Sequence, residues 1–163
     1  MKLFINRTPY YWVLEILSVA GLLYAFYPLL FYGSLSPDVK IPIHFNALGD
    51  VDGWAGRNYL FLLPAISLIF YIGFSILERY PKFLNYPFNT KDIDKKELNK
   101  TGISIIRHIK FISIIVFAHI GNRAFNIAIG KDVQFGIVIF LLLFALFLIV
   151  TVFIARVYKL KQK

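Results

Sequence analysis

A short polar stretch between two apolar runs carries the side chains best suited to chemistry. In this stretch His44 is followed by Asp50 and Asp52. An imidazole and two carboxylates could hold a divalent cation, because three protein ligands and one water make a typical catalytic zinc site. No HExxH motif accompanies them. We therefore favour a structural role, in which His44 and Asn46 bond backbone groups in turns, over direct ligand contact and over a metal site.

A second polar group lies further along the chain, on a predicted helix. Its members are spaced i, i+3, i+4 and i+7 and therefore share one helix face: His119, Asn122, Arg123 and Asn126. Ionisable side chains avoid lipid, so this face should turn towards the bundle interior or a water-filled cavity. We hypothesise that it closes with the polar stretch into one outward-facing site, where Asp50 or Asp52 is the counter-charge of Arg123. The alternative is that Arg123 extends to the outer interface.

One carboxylate, Glu15, lies inside the first apolar run. At about 1.5 Å per residue it is about 9 Å along the predicted helix, where a bare carboxylate is costly. We expect a structural pair with Arg107 or Lys110, which should lie at the same depth. A proton or ion relay is the alternative, which a single acid supports only weakly.

Other signatures of catalysis are lacking in the sequence. The chain has no cysteine, which excludes disulfides, thiol catalysis and thiolate metal sites. Ser34 and Ser36 lie near the polar stretch, but nothing resembles a nucleophile elbow or a base-orienting triad. No glycine-rich phosphate loop is present. We predict that the chain is not an enzyme and has no cofactor and no bound metal.

The composition is that of a membrane protein. Hydrophobic residues make up 58% of the 163 residues, aromatic residues 18%, and the mean hydropathy is +0.66, all above ordinary globular usage. The formal net charge of +9 could suggest nucleic acid. A nucleic-acid binder, however, places its basic residues on a folded polar surface, whereas here they sit between apolar runs. Membrane topology explains them better.

Apolar runs of about 20 residues, the length that a bilayer requires, predict an all-α integral membrane protein with four transmembrane helices. We place these helices at about residues 9–32, 58–80, 101–129 and 134–156 of a single polytopic domain covering residues 1–163. The last helix should be the most exposed to lipid. The connection at residues 33–57 is predicted to be a constrained loop, because Pro37 and Pro42 forbid a continuous helix and aspartate–glycine pairs favour turns. Residues 81–100, rich in charge and proline, form a linker.

The positive-inside rule sets the orientation. Two of the eighteen lysines and arginines precede the first helix, eight lie from Arg79 to Lys110, and four end the chain. The other side of the membrane holds the remaining four. We therefore predict a cell-membrane protein with both termini and the linker in the cytoplasm, and with the loop at residues 33–57 outside.

The polar stretch also carries a pattern of prolines, glycines and polar residues in one order: Pro37, Ile41, Pro42, His44, Phe45, Asn46, Gly49, Asp52, Gly53, Trp54 and, after a gap, Pro64. This pattern resembles the domain of unknown function 1648 family, the N-terminal membrane domain of Sdp toxin-immunity-like proteins. The resemblance covers roughly the first half of the chain. Arg57 is one departure, since we expect lysine there more often in the family. The planar guanidinium of arginine then replaces the compact ammonium group of lysine.

The resemblance implies toxin immunity or membrane signalling through an outward-facing loop site. Capture of a ligand there would shift the packing of the helices and expose a cytoplasmic surface. The candidate ligand-binding residues are Pro42, His44, Phe45, Asn46, Gly49, Asp50, Asp52, Trp54, Arg57, His119, Asn122 and Arg123. Two alternatives are a channel or carrier subunit, with Glu15 and the helix face as stations, and a metal-dependent membrane enzyme.

The expected partners follow from these interpretations. They are the lipid bilayer, a peptide toxin or a cytoplasmic regulator, and a second copy of the chain in a homo-oligomer. Nucleic acid is not expected.

Overall fold

The fold is an up-and-down helical bundle with one small sheet, seen in a computed structural model that describes residues 8–46, 49–86, 93–131 and 137–162. The four α-helices are α1 (Pro9–Phe26), α2 (Leu62–Arg79), α3 (Lys95–Ala128) and α4 (Ile137–Lys161), and two strands lie between α1 and α2, β1 (Lys40–Phe45) and β2 (Val51–Gly56). Short 3₁₀ helices cover Tyr27–Ser34, Arg57–Phe61 and Pro81–Phe83. All four helical spans are long and apolar enough to cross a membrane. The predicted class of four membrane-spanning helices is therefore confirmed.

α3 is the central helix, and the other three pack against it. Half of the most apolar window of α3 is buried, against 6% of the corresponding window of α4. α4 contacts α3 through Ile139, which packs with Ile112 and Val116. Val157 is also buried, against Ile93 and Leu98. Most other apolar side chains of α4 are exposed, so α4 presents most of its surface to lipid.

The helix bounds differ from the predicted ones mainly at α3. The structure begins this helix at Lys95, inside the predicted linker, because the Asp94 side chain caps it by accepting hydrogen bonds from the backbone N–H groups of Lys96 and Glu97, at 2.6 and 3.1 Å. α4 continues to Lys161, beyond residue 156. The predicted start of that helix at residue 134 and the linker at residues 87–92 lie outside the described residues.

The first helix changes character at Pro28. Proline has no N–H, so the carbonyl of Tyr24 loses its usual helical donor. The chain tightens there into a 3₁₀ helix, in which the N–H of Tyr27 bonds this carbonyl. The side-chain amide of Asn122 in α3 also donates to it, at 2.8 Å. A donor from another helix thus helps to satisfy a backbone group that proline frees within the membrane span.

α1 meets α3 through a strip of buried small residues, which includes Ser18, Gly21 and Ala25. A Cβ atom added at Gly21 would lie 2.7 Å from Cδ1 of Ile115. Gly21 therefore sets how closely the two helices approach, as small residues do in membrane helix pairs.

We predict that Gly21→Leu lowers the free energy of unfolding by about 1–3 kcal/mol, the usual cost of overpacking a core. The matched control is Gly73→Leu, because Gly73 lies in α2 and nothing is within 4 Å of the position of its Cβ. The measurement is thermal unfolding of the purified variants in one detergent. Equal stability of the two variants would contradict close packing of α1 on α3.

Candidate functional site

The stretch predicted to be a constrained loop forms an antiparallel hairpin of β1 and β2, which we call the hairpin. Ile41 of β1 is 2% exposed and packs with Leu60, Ala124 and Phe125. Strand β1 is thereby fixed to the last turns of α3. The hairpin stands at one end of the bundle, the hairpin end, and the opposite end is called the far end.

His44 and Asp52 pair across the hairpin. The ring Nδ1 of His44 donates to Oδ1 of Asp52, and the side chains remain 70% and 45% exposed. Register places His44 opposite Gly53, where a Cβ atom would lie 2.9 Å from that of His44. Glycine is therefore needed for the strands to approach at this point. The pair faces solvent at the hairpin surface.

Asn46 and Asp50 form the turn of the hairpin. The Asn46 N–H donates to the Asp50 carbonyl, and the Asp50 N–H donates to Oδ1 of Asn46, both at 2.9 Å. The Asn46 amide also donates to Oδ2 of Asp50 at 3.3 Å. Gly49 has a φ of 90°, a conformation that favours glycine. Asn46 thus bonds a backbone group in the turn, as expected for it, whereas His44, for which the same was expected, contacts the side chain of Asp52.

A mainly apolar cavity of about 260 Å³ lies beneath the hairpin. Pro42 and Phe45 of β1 line one wall, and Phe117 and Gly121 of α3 line another. The cavity is large enough for apolar side chains of a ligand. Two of the predicted binding residues, Pro42 and Phe45, thus contribute to one concave surface.

Arg57 and Trp54 take different positions on the hairpin. Arg57 donates from Nη1 to the Leu35 carbonyl at 3.3 Å, and its guanidinium lies 4.9 Å from the ring centroid of Tyr32. It therefore ties the base of the hairpin to the end of the first span. Trp54 of β2 is 50% exposed.

The polar face of α3 does not meet the hairpin as a unit. Asn122 is buried and donates to the carbonyls of Tyr24 and Ala118, so its amide faces α1. Asn126 donates to the Asn122 carbonyl. The buried α3 residues that pack with Ile41 of the hairpin are Ala124 and Phe125, which are apolar.

His119 and Arg123 of this face are half-buried. His119 Nε2 is shielded from solvent and has no hydrogen-bond partner in the part of the chain that the structure describes. Among the contacts of the two aspartates, Asp52 contacts His44 and Asp50 contacts Asn46. The pairing of Arg123 with one of these aspartates stays a prediction.

The far end holds a second polar site, the inner charge cluster, formed by Glu15, Glu78, Arg107 and Lys110. Nζ of Lys110 lies 2.7 Å from Oε2 of Glu15 and 3.2 Å from Oε2 of Glu78. Arg107 donates from Nε and Nη2 to Oε1 of Glu78, both at 2.8 Å. The structure thus places Glu15 against Lys110, the second of the two partners considered for it.

The inner charge cluster is balanced and deeply buried. Lys110 is 1% exposed, and its ammonium lies 5.1 Å from the ring centroid of Tyr71, whose hydroxyl donates to Oε1 of Glu15 at 2.7 Å. The Arg107 guanidinium lies 4.4 Å from the ring centroid of Tyr11. Two acids and two bases therefore join α1, α2 and α3 at one depth.

Sequence reasoning missed Glu78 as a member of this cluster. The signal that could have found it is depth. With helices alternating in direction, the last turn of α2 lies beside the first half of α3, where Arg107 also needs a partner. This comparison of depths would have predicted a cluster of two buried acids and two buried bases.

The described residues contain no group of three or more histidine, cysteine, aspartate or glutamate side chains arranged to hold a metal ion. His44 and Asp52 form a pair, and Asp50 belongs to the turn. This arrangement gives one ligand fewer than the three protein ligands of a typical catalytic zinc site.

Comparison with known proteins agrees with the resemblance seen in the sequence. The family model described as Domain of unknown function (DUF1648) matches residues 19–68, from the middle of α1 through the hairpin into α2. The chain is also similar to an uncharacterized protein of Archaeoglobus fulgidus, at 38% identity over 77 residues. The alignment covers 42% of this chain and 41% of that relative, so the chain spans about two fifths of its length. No solved structure gives a significant match.

Proposed function

Because the chain carries the DUF1648 domain at residues 19–68, we propose that it is a multi-pass cell-membrane protein that captures a peptide at an outward-facing hairpin. Capture gives either immunity to a peptide toxin or a membrane signal. Both termini lie in the cytoplasm. This orientation is supported by the positive-inside rule, because two of the eighteen lysines and arginines precede α1, eight lie from Arg79 to Lys110, and four lie from Arg156 onwards.

The observation that carries the proposal is the open edge of the hairpin. Its sheet has only two strands in the described part of the chain, so each strand keeps one edge at which an extended peptide can add a further strand. Strand β1 packs on α3 and contains Pro42, which lacks an N–H. Strand β2 has no proline, and its edge is the better one for a peptide.

Side-chain recognition comes from Trp54 on β2 and from the cavity beneath the hairpin, whose hairpin wall belongs to β1. Trp54 of β2 is half-exposed, and the cavity of about 260 Å³ beneath the hairpin is lined mainly by apolar groups. An amphipathic peptide that adds a strand presents alternate side chains to such surfaces. Exposed tryptophans at binding surfaces often supply much of the affinity.

α3 provides the route from the hairpin to the far end. It contacts the hairpin at Ala124 and Phe125 and contributes Arg107 and Lys110 to the inner charge cluster. These groups are about 21–27 Å apart along one continuous helix, at about 1.5 Å per residue. A peptide that moves the hairpin therefore biases the packing of α3 against α1 and α2, and this displacement is the signal.

The test is survival of toxin-sensitive bacteria that express the chain and are challenged with the Sdp-type killing peptide. We expect the native chain to protect, and the double variant His44→Ala with Asp52→Ala to lose protection. Trp54→Ala should weaken peptide binding by about 30-fold, the effect of a hot spot of about 2 kcal/mol. The matched control is Trp12→Ala, since Trp12 is 54% exposed at the far end and should leave binding unchanged.

Expression must be equal for all variants in the survival test. A separate experiment tests the orientation: a single cysteine replacing Asp50 should react with an impermeant thiol reagent added to whole cells. Protection by the native chain and by Trp12→Ala, but not by Trp54→Ala, supports capture at the hairpin. If the native chain gives no protection and binds no peptide, the proposal is wrong. Labelling of the cysteine only in opened cells would reverse the proposed orientation.

The two alternatives receive less support from the same contacts. In a channel or carrier, Glu15 would bind the transported ion or proton on a polar path. In the structure, Glu15 instead contacts Lys110 and Tyr71 of α3 and α2. A metal-dependent enzyme would need a third ligand beside His44 and Asp52. Metal analysis of the purified protein tests this second alternative directly. A homo-oligomer and a cytoplasmic regulator are compatible with the proposal.

A further inference from the structure

A cleft of about 200 Å³ opens between α3 and α4 near the far end, and we call it the α3–α4 cleft. Its α3 wall carries polar side chains, Thr101, Ser104 and His108. Its α4 wall is apolar at Leu148 and Val152 and ends at Arg156. One wall can therefore donate hydrogen bonds, and the other can pack against hydrocarbon.

Hydrogen bonds leave donors for a ligand in this cleft. The Ser104 carbonyl can only accept, so Nδ1 of His108 donates to it at 2.7 Å, and Nε2 lies 2.8 Å from the Tyr10 hydroxyl. The Tyr11 hydroxyl donates to Oγ of Ser104 at 2.9 Å, which leaves the hydrogen of Ser104 for another acceptor. Arg156 is exposed, and no carboxylate of a described residue forms an ion pair with it.

The position of the cleft defines the chemistry of its ligand. Leu148 and Val152 are exposed on the lipid-facing side of α4. Arg156 lies in the last turns of this helix, which end with Lys159 and Lys161. A ligand that fits both features has an anionic group at the membrane interface and a hydrocarbon chain that extends towards the membrane centre.

We propose that the α3–α4 cleft binds an anionic phospholipid. Arg156 contacts the headgroup phosphate, because a guanidinium fork matches phosphate oxygens. Thr101 and Ser104 donate hydroxyl hydrogen bonds to it, and the upper part of one acyl chain lies along Leu148 and Val152. A free phosphate would use only the polar wall. This binding site is independent of peptide capture at the hairpin.

The experiment measures binding of phosphatidylglycerol to the purified full-length chain in detergent micelles by native mass spectrometry. We expect Arg156→Gln to weaken binding about tenfold, the effect of losing one charge-assisted contact. Lys161→Gln removes the same charge from the end of the same helix but outside the cleft, and it should change binding by less than about twofold. An excess of inorganic phosphate should not displace the lipid.

A second pair of variants tests the apolar wall with all charges kept. Val152→Trp fills the cleft and should weaken lipid binding as much as Arg156→Gln does. Ile154→Trp adds the same ring to a neighbouring exposed position of α4 and should bind the lipid normally. If Arg156→Gln fails to fold, this pair still tests the proposal.

Three outcomes would overturn the inference. Equal weakening by Arg156→Gln and Lys161→Gln would mean a general attraction between basic residues and anionic lipid. Normal binding by Val152→Trp would place the lipid elsewhere. Displacement by inorganic phosphate would identify a site for a free anion instead of a lipid.

Discussion

Lys110→Met should lower the free energy of unfolding by about 3–5 kcal/mol, the usual cost of breaking a buried ion pair by removing one partner. The Lys110 ammonium is within 3.2 Å of both carboxylates of the inner charge cluster. It is 1% exposed, so water cannot replace it. Methionine keeps most of the volume and removes the charge.

The measurement is unfolding of the purified variant in mixed micelles of increasing denaturing detergent. The control is Lys95→Met, at an exposed lysine in the first turn of the same helix, which should change stability by less than about 0.5 kcal/mol. The double variant Glu15→Gln with Lys110→Met removes one charge of each sign and should regain at least half of the loss. Native stability of Lys110→Met would show that the contacts are not coupled to folding.

Phe147→Arg should impair membrane insertion of α4 by about 2.5–3.5 kcal/mol, the cost of an arginine at the centre of a span on insertion scales. Phe147 lies near the middle of α4 and is 64% exposed. In water an exposed phenylalanine would tolerate this change, because little packing is lost. A large effect at this position would therefore indicate that lipid, and not water, surrounds this part of the helix.

The measurement is the fraction of chains in which a single cysteine replacing Lys161, at the end of α4, is protected from an impermeant thiol reagent added to whole cells; the native chain has no cysteine. Tyr158→Arg is the matched control, because Tyr158 is 58% exposed but lies in the basic end of the same helix. It should insert as the native chain does. If Phe147→Arg leaves the labelling pattern of this cysteine unchanged, α4 does not place Phe147 in the centre of the bilayer.

The four long helices could be predicted because each is an apolar run of sufficient length, a property of consecutive residues. The hairpin could not. Strand β1 contains Pro42, and strand β2 contains Gly53 and Gly56, residues that are depleted in strands. The strands form because Ile41 packs on α3, a contact between segments that are distant in sequence.

The candidate site could also be predicted only in part. Helical spacing showed that His119, Asn122 and Arg123 share one face, but not which neighbour that face meets. The amide of Asn122 turns to α1 because Pro28 leaves the carbonyl of Tyr24 short of a donor. Depth suggested a partner for Glu15, whereas the role of Glu78 depended on how α2 and α3 lie side by side.

The contact between Glu15 and Lys110 has a consequence for biosynthesis. These residues are 95 positions apart in the chain, so the ribosome has already completed α1, the hairpin and α2 when it makes the lysine. The first two helices are therefore synthesised before Lys110 exists. Arrival of α3 supplies both cations of the inner charge cluster, the anchor for Ile41 and the donor for the Tyr24 carbonyl. Insertion of the third helix is thus the step of synthesis that commits the nascent chain to its final packing.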